Sequence, residues 1–557
     1  MSRVFSSALP FLELKAALLA SSTNDLLPPR DEDDVGGEVG RRFLESLDRS
    51  LSRGDYEPDR IEIIQVPKPG FTTRPAALLS LDDRVVYEAL VAALRPRIDK
   101  FLVSSEATLW PRGVITPKRW SEFESAPLTA DSSHIALLDV AGYYDSIPHV
   151  RLASLLLEAT GRREVVEALV EFLGRSMGLE RGIPQGLAGS DPLATLYLTP
   201  VDRALLLAGF DYFRHGDDVR IGLVNYASGR RAIALAEREL RQLGLILNAS
   251  KSQIVKRVNY EAELSGTSRE KSELRKRIEE MNLKALRDGD AEMIRSLAVK
   301  VGVDPEVMDL FEDDPEAAVT LVAEIRAETG PYETLSFEES VEILQKEITP
   351  AEISVAQELF EQSLRHAPDK DQPWERFKFH SALWDSLTGL AAAKDPKAIE
   401  HCAHLLLAFP DETEIVVRYL LAMVGTSPSK VVNQISEVIL TDDFRLGWQT
   451  AWLYRVLAAA SEDLDPEVLD RALRSIGYED LDWLERIEAL RLLATVGKLE
   501  RDHLWRMWRR VPAPFRPNVV AAAALMAKAK VDWASTFVDA CRGDRVNEVV
   551  IAHILNE

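Results

Sequence analysis

Residues 135–147 read IALLDVAGYYDSI, and residues 213–219 read FRHGDDV. In the first stretch Asp139 directly follows an apolar run, which is typical of a buried strand that ends at a charge. In the second stretch a tight turn carries the adjacent pair Asp217 and Asp218. Carboxylates this crowded repel one another unless divalent cations lie between them. The pattern therefore predicts a site for two metal ions.

Two Mg2+ ions held by such carboxylates can activate an attacking 3′-hydroxyl and stabilise the pyrophosphate that leaves a nucleotide. Phosphoryl transfer is therefore the predicted chemistry. A pair of adjacent aspartates is a weak signal by itself, because most are solvated turn residues or helix caps. The order of the surrounding motifs makes the prediction more specific.

Five sequence blocks follow one another in the first half of the chain. The block at 181–193 is a loop rich in glycine and proline, which lets backbone approach a base or a sugar closely. It leads into a predicted helix at 193–204, and a second helix is predicted at 230–243. The blocks are VPKPGFTTRP at 66–75 with DDRVVY at 82–87, IALLDVAGYYDSI at 135–147, RGIPQGLAGSDPL at 181–193, FRHGDDV at 213–219 and LGLILNASK at 243–251.

These blocks, in this order, resemble the fingers and palm of reverse transcriptases over roughly residues 60–258. The resemblance implies that Asp139 and Asp217 are the principal metal ligands and that Asp218 supports them. It also implies that the carbonyl group of Val140 completes one coordination shell. The expected cofactor is a pair of Mg2+ ions, with Mn2+ as an alternative.

The resemblance also implies which residues bind the substrate. Lys68 and Arg74 match the positions that hold the incoming triphosphate, tasks suited to a point charge and a bidentate fork. Tyr144 matches a bulky ring beneath the sugar that excludes a 2′-hydroxyl, so deoxynucleotides (dNTPs) are the expected substrates. Gln185 matches a glutamine that tracks template and nucleotide. Lys251 matches a lysine that protonates the departing pyrophosphate.

Two positions depart from the family pattern. His215 stands where an aromatic residue, commonly tyrosine, precedes the paired aspartates, and Ala141 stands where a basic or polar residue is frequent. Residue type alone leaves other interpretations open. Without the family resemblance, Lys68 is equally typical of a solvated loop lysine, Tyr144 is more typical of core packing, and Lys251 is more typical of a surface lysine.

Charge divides the chain unevenly. Of its 557 residues, the first 260 hold 32 basic and 35 acidic residues, while the rest hold 35 and 55. An acidic second half repels phosphate backbones, so we expect nucleic acid to bind the first half. The candidate basic residues there are Arg214, Arg220, Arg230, Arg231, Lys251, Lys256 and Arg257.

Cysteine content and hydropathy indicate the compartment. Cys402 and Cys541 are the two cysteines, which suggests a reducing cytoplasm without a disulfide framework or structural zinc. No run reaches the 18 or so uncharged apolar residues of a membrane span. Residues 5–20 are amphipathic and interrupted by Glu13 and Lys15, which predicts a helix rather than an export signal.

The second half has the pattern of successive helices. Aspartate-proline pairs mark helix starts, and apolar residues recur at helical spacing after them. Helix pairs at intervals of about forty residues predict an α-solenoid of HEAT type, with an irregular helical bundle as the alternative. Trp505 and Trp508, beside three arginines, are expected to pack between helices rather than to stack on nucleic acid. The pairs are Asp304-Pro305, Asp314-Pro315, Asp395-Pro396 and Asp465-Pro466.

The predicted fold class is therefore α+β, in three parts. Residues 1–59 form an N-terminal helical extension of the fingers, residues 60–260 the reverse-transcriptase-like fingers and palm, and residues 261–557 an all-α, HEAT-like helical-repeat domain. This architecture, without a recognisable RNase H, endonuclease or maturase segment, resembles bacterial defence-associated reverse transcriptases of the abortive-infection, AbiK-type and unknown groups.

This narrower resemblance implies DNA synthesis in response to phage, often without a copied template. The single-stranded DNA product is expected to be attached covalently where a tyrosine of the protein primes synthesis, and any of the 12 tyrosines could serve. The resemblance further implies homo-oligomers, trimeric or hexameric, and allows for a noncoding RNA partner. No membrane partner is expected.

Two other functions compete with a defence polymerase. An RNA-templated reverse transcriptase of retron or group II intron kind shares the palm, but it should carry a basic thumb for the duplex. A non-enzymatic scaffold with a decayed palm is the third interpretation. The presence of Asp139, Asp217 and Asp218 together disfavours the scaffold, because clustered carboxylates without metal ions are costly.

Overall fold

The structure is a computed structural model whose described part leaves out several segments. Two of the predicted helix starts, Asp304-Pro305 and Asp314-Pro315, lie outside the described residues, as do residues 69–71 of the first block. The described residues are 4–20, 26–33, 35, 37–68, 72–104, 122–129, 131–262, 264, 337–348, 350–365, 367, 373–441, 445–460, 464–478 and 481–555.

The chain forms two compact units. The second unit comprises residues 67–73 and 263–472, and the first comprises residues 1–66, 74–262 and 473–557. The three-part division predicted from the sequence stays a prediction. The contacts add that residues 473–557 belong to the same compact unit as residues 1–66 and 74–262.

Helices and two small sheets make up the described part of residues 1–262. The strands are β1 (Glu62–Pro67), β2 (Thr73–Leu78), β3 (His134–Leu138), β4 (Asp211–His215), β5 (Asp218–Leu223) and β6 (Gln253–Lys256). The helices are α1 (Val4–Ala8), α2 (Leu14–Ala20), α3 (Gly37–Arg53), α4 (Leu81–Ser104), α5 (Tyr143–Ser146), α6 (His149–Thr160), α7 (Arg163–Met177), α8 (Ser190–Tyr197), α9 (Thr199–Leu207) and α10 (Tyr226–Gln242), with 3₁₀ turns at Leu9–Phe11 and Asp31–Asp33.

Proline divides two helices that the sequence predicts as continuous. The helix expected at 5–20 is interrupted by a 3₁₀ turn that contains Pro10, and the helix expected at 193–204 is two helices, α8 and α9, with Pro200 in the first turn of α9. Proline has no backbone N–H to donate and crowds the preceding turn. The predicted bounds of these helices were therefore wrong.

The four-stranded sheet is antiparallel, with strand order β4-β5-β3-β6. Leu138 pairs with Val219 and His134 with Leu223, so β3 and β5 run side by side along their full length. Continuing this register by one pair places Asp139 opposite Asp218. The β4–β5 hairpin ends with the pair His215 and Asp218, which leaves a two-residue turn. β1 and β2 form a separate two-stranded sheet.

The core of the first unit lies between this sheet and the helices that cover it. Ala136, Leu138 and Ile221 point into it from the strands and are at most 2% exposed. Tyr87 of α4 stacks on Phe172 of α7, with ring centroids 5.5 Å apart. Each large apolar side chain buried in this way stabilises the fold by about 1.5–3 kcal/mol. The sheet is thus held rigidly where the acidic residues begin.

The second unit is helical in its described part. Its helices are α11 (Phe337–Glu347), α12 (Pro350–Arg365), α13 (Pro373–Ala392), α14 (Cys402–Ala408), α15 (Thr413–Met423), α16 (Pro428–Leu440) and α17 (Gly447–Ala460), while α18 (Pro466–Gly477) spans the boundary between the units. Short 3₁₀ helices lie at Pro396–His401 and Pro410–Glu412. Helices pack in succession, α12 on α13, α13 on α15 and α15 on α17. A HEAT-like repeat stays a prediction.

Two aspartate-proline signals are confirmed by their hydrogen bonds. Asp395 Oδ1 accepts from the backbone N–H of Lys397 at 2.9 Å, and Asp465 Oδ1 accepts from that of Glu467 at 2.9 Å. Each carboxylate satisfies a donor that has no partner within its helix. The element that begins at Asp395 is a 3₁₀ helix, however, and not the α-helix that the pattern predicts.

The last helices belong to the first unit. They are α19 (Trp483–Thr495), α20 (Arg501–Trp508), α21 (Arg516–Lys528), α22 (Asp532–Cys541) and α23 (Arg545–Leu555), with a 3₁₀ turn at Ala513–Phe515. α23 packs on α3, and Val546 and Val549 share the core of the first unit. Arg545 Nε donates to both carboxylate oxygens of Asp82, at 2.8 and 2.7 Å. The C-terminal helices therefore support the N-terminal segment and α4.

Further expectations from the sequence concern packing and membranes. The rings of Trp505 and Trp508 both contact Phe537 edge-on, with their centroids 5.0 and 5.4 Å from that of Phe537, so they pack between helices as expected.

In the described ranges no strand follows Lys256. None of the helices in the described part of the chain combines the length and apolar character that crossing a membrane requires.

Arg545→Ala should destabilise the first unit. The variant removes a bidentate, charge-assisted contact between α23 and α4, so we expect the free energy of unfolding to fall by about 1.5–3 kcal/mol in urea titrations. Arg509→Ala, at an exposed position of the same region, is the control and should change stability by less than about 0.5 kcal/mol. Equal stability of the two variants would contradict the packing of α23 on the N-terminal segment.

Candidate functional site

Asp139 is fixed at the end of β3 by the segment that precedes β6. Its backbone carbonyl accepts from Asn248 N–H at 2.8 Å, and its Oδ2 accepts from Asn248 Nδ2 at 2.8 Å. Lys251 Nζ donates to the other oxygen, Oδ1, at 3.1 Å. Two residues further on, Ala141 N–H donates to the Ile246 carbonyl at 2.9 Å. The block at 243–251 therefore orients the first aspartate as well as supplying a lysine.

The paired aspartates lie in the hairpin turn between β4 and β5. Gly216 has a φ of 58° and Asp217 is not among the residues with positive φ, which is the arrangement of a type II′ turn. A side chain at Gly216 would strain this turn, so glycine is the suitable residue before Asp217. Because β5 pairs with β3, the same turn brings Asp217 and Asp218 beside Asp139.

Crowding changes the acidity of these carboxyl groups. Burial, followed by the charges of Asp218 and Asp139, raises the pKa of Asp217 to about 6, while Lys251 opposes the shift. Burial also raises the pKa of Asp218, opposed by Arg220, whose Nη1 lies 3.7 Å from Asp218 Oδ1. The cluster is therefore short of positive charge, which is the condition that a bound cation relieves.

The donor set fits a hard divalent cation, because carboxylate and carbonyl oxygens are the ligands that Mg2+ prefers. In the described residues, however, no group of three or more His, Cys, Asp or Glu side chains stands ready to hold a metal ion. Asp139 has one oxygen bound to Lys251 and the other to Asn248. A cation at Asp139 Oδ1 therefore requires that Lys251 move. Lys251 is free to do so, since its side chain is 66% exposed.

Val140 is placed next to the same turn. Its bridge partner is Leu247, and its side chain is buried beneath the sheet. The backbone carbonyl of Asp139 points towards Asn248. Successive carbonyls along a strand point alternately to the neighbouring strands on its two sides. The carbonyl of Val140 therefore points to the β5 side, where Asp217 lies. This direction agrees with the ligand role expected for it, which stays a prediction.

Tyr144 lies in α5, five residues after Asp139. Its hydroxyl donates to Asp191 Oδ1 at 2.8 Å, and its ring meets Tyr143 edge-on with centroids 5.7 Å apart. Burial and then the charge of Asp191 raise the pKa of Tyr144, and Asp217 adds to the shift. The ring is therefore tied to Asp191 and feels the charge of Asp217, while its role as a gate beneath the sugar stays a prediction.

The remaining predicted substrate residues are described by their local contacts. The carbonyl of Gln185 accepts from Ala77 N–H at 3.1 Å, which ties the glycine-rich loop to β2. Arg74 lies on β2, and its Nε is buried without a hydrogen-bond partner among the described residues. Lys68 belongs to the second unit, where its N–H donates to the Thr72 carbonyl at 2.8 Å. Its role at the triphosphate stays a prediction.

Arg214 is a residue whose role the sequence did not reveal. It was expected on a basic surface, but it is 1% exposed. Its Nε and Nη2 donate to the two carboxylate oxygens of Asp202 at 2.8 and 2.6 Å, and Tyr212 also donates to Asp202 at 2.7 Å. Its Nη1 donates to the carbonyl of Gly216 at 2.9 Å. Arg214 therefore fixes the hairpin turn that carries Asp217.

The other candidate basic residues divide between surface and interior contacts. Arg220 lies over the ring of Phe123, 5.3 Å from its centroid, and Arg257 donates to Glu261 at 2.7 Å. The exposed members of the set, which remain candidates for nucleic-acid contact, are Arg230, Arg231, Lys251 and Lys256. Alternation along β4 could have indicated the fate of Arg214, because it shares a face with buried Tyr212.

Arg214→Met should leave the buried carboxylate of Asp202 without a counter-charge. We expect the free energy of unfolding to fall by about 3–5 kcal/mol in denaturant titrations. The double variant Arg214→Met with Asp202→Leu removes both charges and should recover a large part of that loss. A single variant within about 1 kcal/mol of the wild type would contradict the buried ion pair.

Asp217→Asn should stabilise the metal-free protein. Since the folded-state pKa is raised from 3.8 to about 6, ionisation disfavours the fold, and metal-free stability should decrease as the pH rises from about 4 to about 6. At pH 7 in a chelator the variant should gain about 1–2 kcal/mol, measured by denaturant unfolding. Added Mg2+ should stabilise the wild type and not the variant. A variant less stable than the wild type in the chelator would contradict the claim that the charged Asp217 carboxylate destabilises the metal-free fold.

The family model described as "Reverse transcriptase (RNA-dependent DNA polymerase)" matches residues 66–271, which include every residue of the candidate site. No curated protein sequence matches the chain. Among solved structures, one similar chain comes from telomerase of Candida albicans in complex with a fragment of telomeric RNA. It is 10% identical, has a TM-score of 0.29 and aligns 73% of this chain with 71% of its own.

Proposed function

We propose that this chain, which contains a reverse transcriptase domain at residues 66–271, is a DNA polymerase that adds dNTPs by two-metal phosphoryl transfer. Such a domain indicates a nucleotidyltransferase. The observation that carries the mechanism is the β3–β5 register, which sets Asp139 beside the turn with Asp217 and Asp218. The raised pKa of Asp217 supports a cation at that turn, because burial and then the neighbouring carboxylates disfavour its charged form, which a bound cation would stabilise.

In this mechanism Asp139, Asp217, Asp218 and the carbonyl of Val140 hold the metal ions. When bound there, two Mg2+ ions, or Mn2+, supply Lewis-acid stabilisation of the attacking 3′-oxygen and of the leaving pyrophosphate. Lys251, once released from Asp139 Oδ1, carries a proton within reach of the same region. It can therefore act as the general acid at the pyrophosphate.

The substrate is held by residues of both the palm and the fingers. The guanidinium of Arg74 offers a fork for phosphate oxygens, and its buried Nε is a donor in need of an acceptor. Lys68 is proposed to bind the triphosphate as a point charge. Gln185 is proposed to follow the template and the nucleotide, and Tyr144 to exclude ribonucleotides.

We assign the finer function to antiphage defence of the abortive-infection kind. Two features support it: a helical unit in the described part of 263–472, and the strongly acidic second half of the sequence. An acidic surface is a poor track for a long duplex, so synthesis without a copied template fits the charge better. The proposal includes a single-stranded DNA product attached to a priming tyrosine, a homo-oligomer of three or six chains, a cytoplasmic location and, where a template is used, a noncoding RNA.

The second candidate function is RNA-templated DNA synthesis of retron or group II intron kind. The description of the matching family, an RNA-dependent DNA polymerase, favours it. The two candidates share the carboxylate site and differ in the need for RNA. They are therefore separated by the template requirement and not by the chemistry.

Asp217→Asn combined with Asp218→Asn should reduce incorporation of labelled dNTPs by more than about 100-fold. Loss of metal ligands exceeds the 10–100-fold effect typical of their outer partners. Asp211→Asn, which makes the same change at an exposed position of the same hairpin, is the control and should retain activity. Full incorporation by the double variant, folded as the wild type by circular dichroism, would exclude this site.

The template requirement is tested with purified protein, Mg2+ and each labelled dNTP, with and without RNA. We expect product without RNA, and we expect label to remain on the protein through phenol extraction and a denaturing gel. Covalent attachment makes the product migrate with the protein. Product that forms only with an added template and primer, free of protein, would favour the RNA-templated candidate.

A further inference from the structure

The hydrogen bond between Tyr144 and Asp191 joins two sequence blocks that lie apart in the chain. We propose that Asp191 is a positioning residue that fixes the Tyr144 ring and thereby sets the discrimination between dNTPs and ribonucleotides. This inference rests on the proposed function, in which Tyr144 is the gate beneath the sugar. The family pattern that identified the gate assigns no role to Asp191.

The ring of Tyr144 needs such a support. Its backbone is fixed, because its carbonyl accepts from Ile183 N–H at 3.0 Å, but two side-chain torsions remain free to turn. The ring is half-buried and rests edge-on against Tyr143 at one side. Its hydroxyl reaches Asp191 Oδ1 at 2.8 Å. A bond from a hydroxyl to a carboxylate is among the stronger side-chain hydrogen bonds, so it selects one ring orientation.

Asp191 is in turn held in place by the start of α8. The neighbouring Ser190 is buried, and its Oγ lies 2.7 Å from the hydroxyl of Tyr87 and also donates to the carbonyl of Pro184. Gly189 N–H donates to Glu88 Oε1 at 3.2 Å. Both Tyr87 and Glu88 belong to α4, the long helix at the centre of the unit. The backbone that carries Asp191 is therefore anchored to the core, although the side chain is itself exposed.

A steric gate depends on the position of its ring. A ring that stays in place leaves no room for a 2′-hydroxyl, whereas a ring that turns aside admits one. Displacements of about 1 Å at a reacting centre change rates by up to 10²-fold. Tyr144 follows Asp139 by five residues, on the short helix α5 after β3, and the charge of Asp217 contributes to its raised pKa. Asp191 thus controls selectivity without itself contacting the reacting atoms.

The test measures the ratio of ribonucleotide to dNTP incorporation in a set of full-length variants. Tyr144→Phe keeps the ring and removes the hydroxyl, and Asp191→Ala removes the acceptor. Each should raise the ratio about tenfold, mainly through a lower KM for ribonucleotides. The double variant should show the same tenfold increase and not the product of the two, because both changes remove one interaction. Asp191→Asn keeps an acceptor oxygen and should restore most of the discrimination.

Two comparisons separate this inference from a general loss of stability. Asp532→Ala removes an exposed acid from the first turn of α22, as Asp191→Ala does in α8, and should leave the ratio unchanged. Thermal unfolding of all variants establishes that they fold. Multiplicative effects in the double variant, or an Asp191→Ala ratio within about twofold of the wild type, would overturn the role of Asp191.

The outcomes also separate the inference from the proposed function on which it rests. If Tyr144→Ala relaxes discrimination and Asp191→Ala does not, the gate stands and Asp191 does not position it. If Tyr144→Ala leaves the ratio unchanged, the gate assignment fails and the role of Asp191 fails with it. If the wild type incorporates no dNTP at all, the proposed polymerase activity fails first.

Discussion

The pairing of β3 with β5 is the constraint on which the site depends. It fixes Asp139 beside a hairpin turn that carries two further carboxylates, although more than seventy residues of chain separate them. Strand register allows no gradual adjustment, because a slip of one residue would turn every side chain to the other face of the sheet. The same pairing that buries Leu138 and Val219 therefore sets the positions of the acidic residues.

Holding these carboxylates together disfavours folding, and the surrounding structure offsets that cost. Lys251 and Asn248 occupy the oxygens of Asp139, while Arg214 bonds the carbonyl of Gly216 from the interior. A fully buried ion pair between Arg214 and Asp202 contributes little net stability, but it restricts the turn to one arrangement. These contacts hold Asp139 and the acidic turn in one arrangement, with both carboxylate oxygens of Asp139 already hydrogen-bonded.

The β3–β5 pairing agrees with the sequence prediction that Asp139 lies beside the Asp217 turn, while the ligand roles of these residues stay predictions. An acid after an apolar strand, a Gly-Asp-Asp turn and their order are sufficient to place Asp139 beside Asp217. Sequence did not reveal the burial of Arg214 or the contact of Tyr144 with Asp191, because both depend on residues brought together by tertiary packing. The return of α23 to the N-terminal segment was equally hidden, since helical periodicity shows which face is apolar and not which partner covers it. Pro10 and Pro200 each interrupt a helix that apolar periodicity alone predicts as continuous.

The central claim is that Asp139 and the Asp217 turn hold metal ions jointly. Anomalous diffraction from crystals of the protein soaked in Mn2+ tests it most directly. Joint binding predicts two peaks of anomalous density about 3.5–4 Å apart, each within bonding distance of Asp139 and Asp217. Lys251 should then be displaced from Asp139 Oδ1. Ordered carboxylates with no peak between them, and with Lys251 still bound to Asp139 at saturating Mn2+, would contradict it.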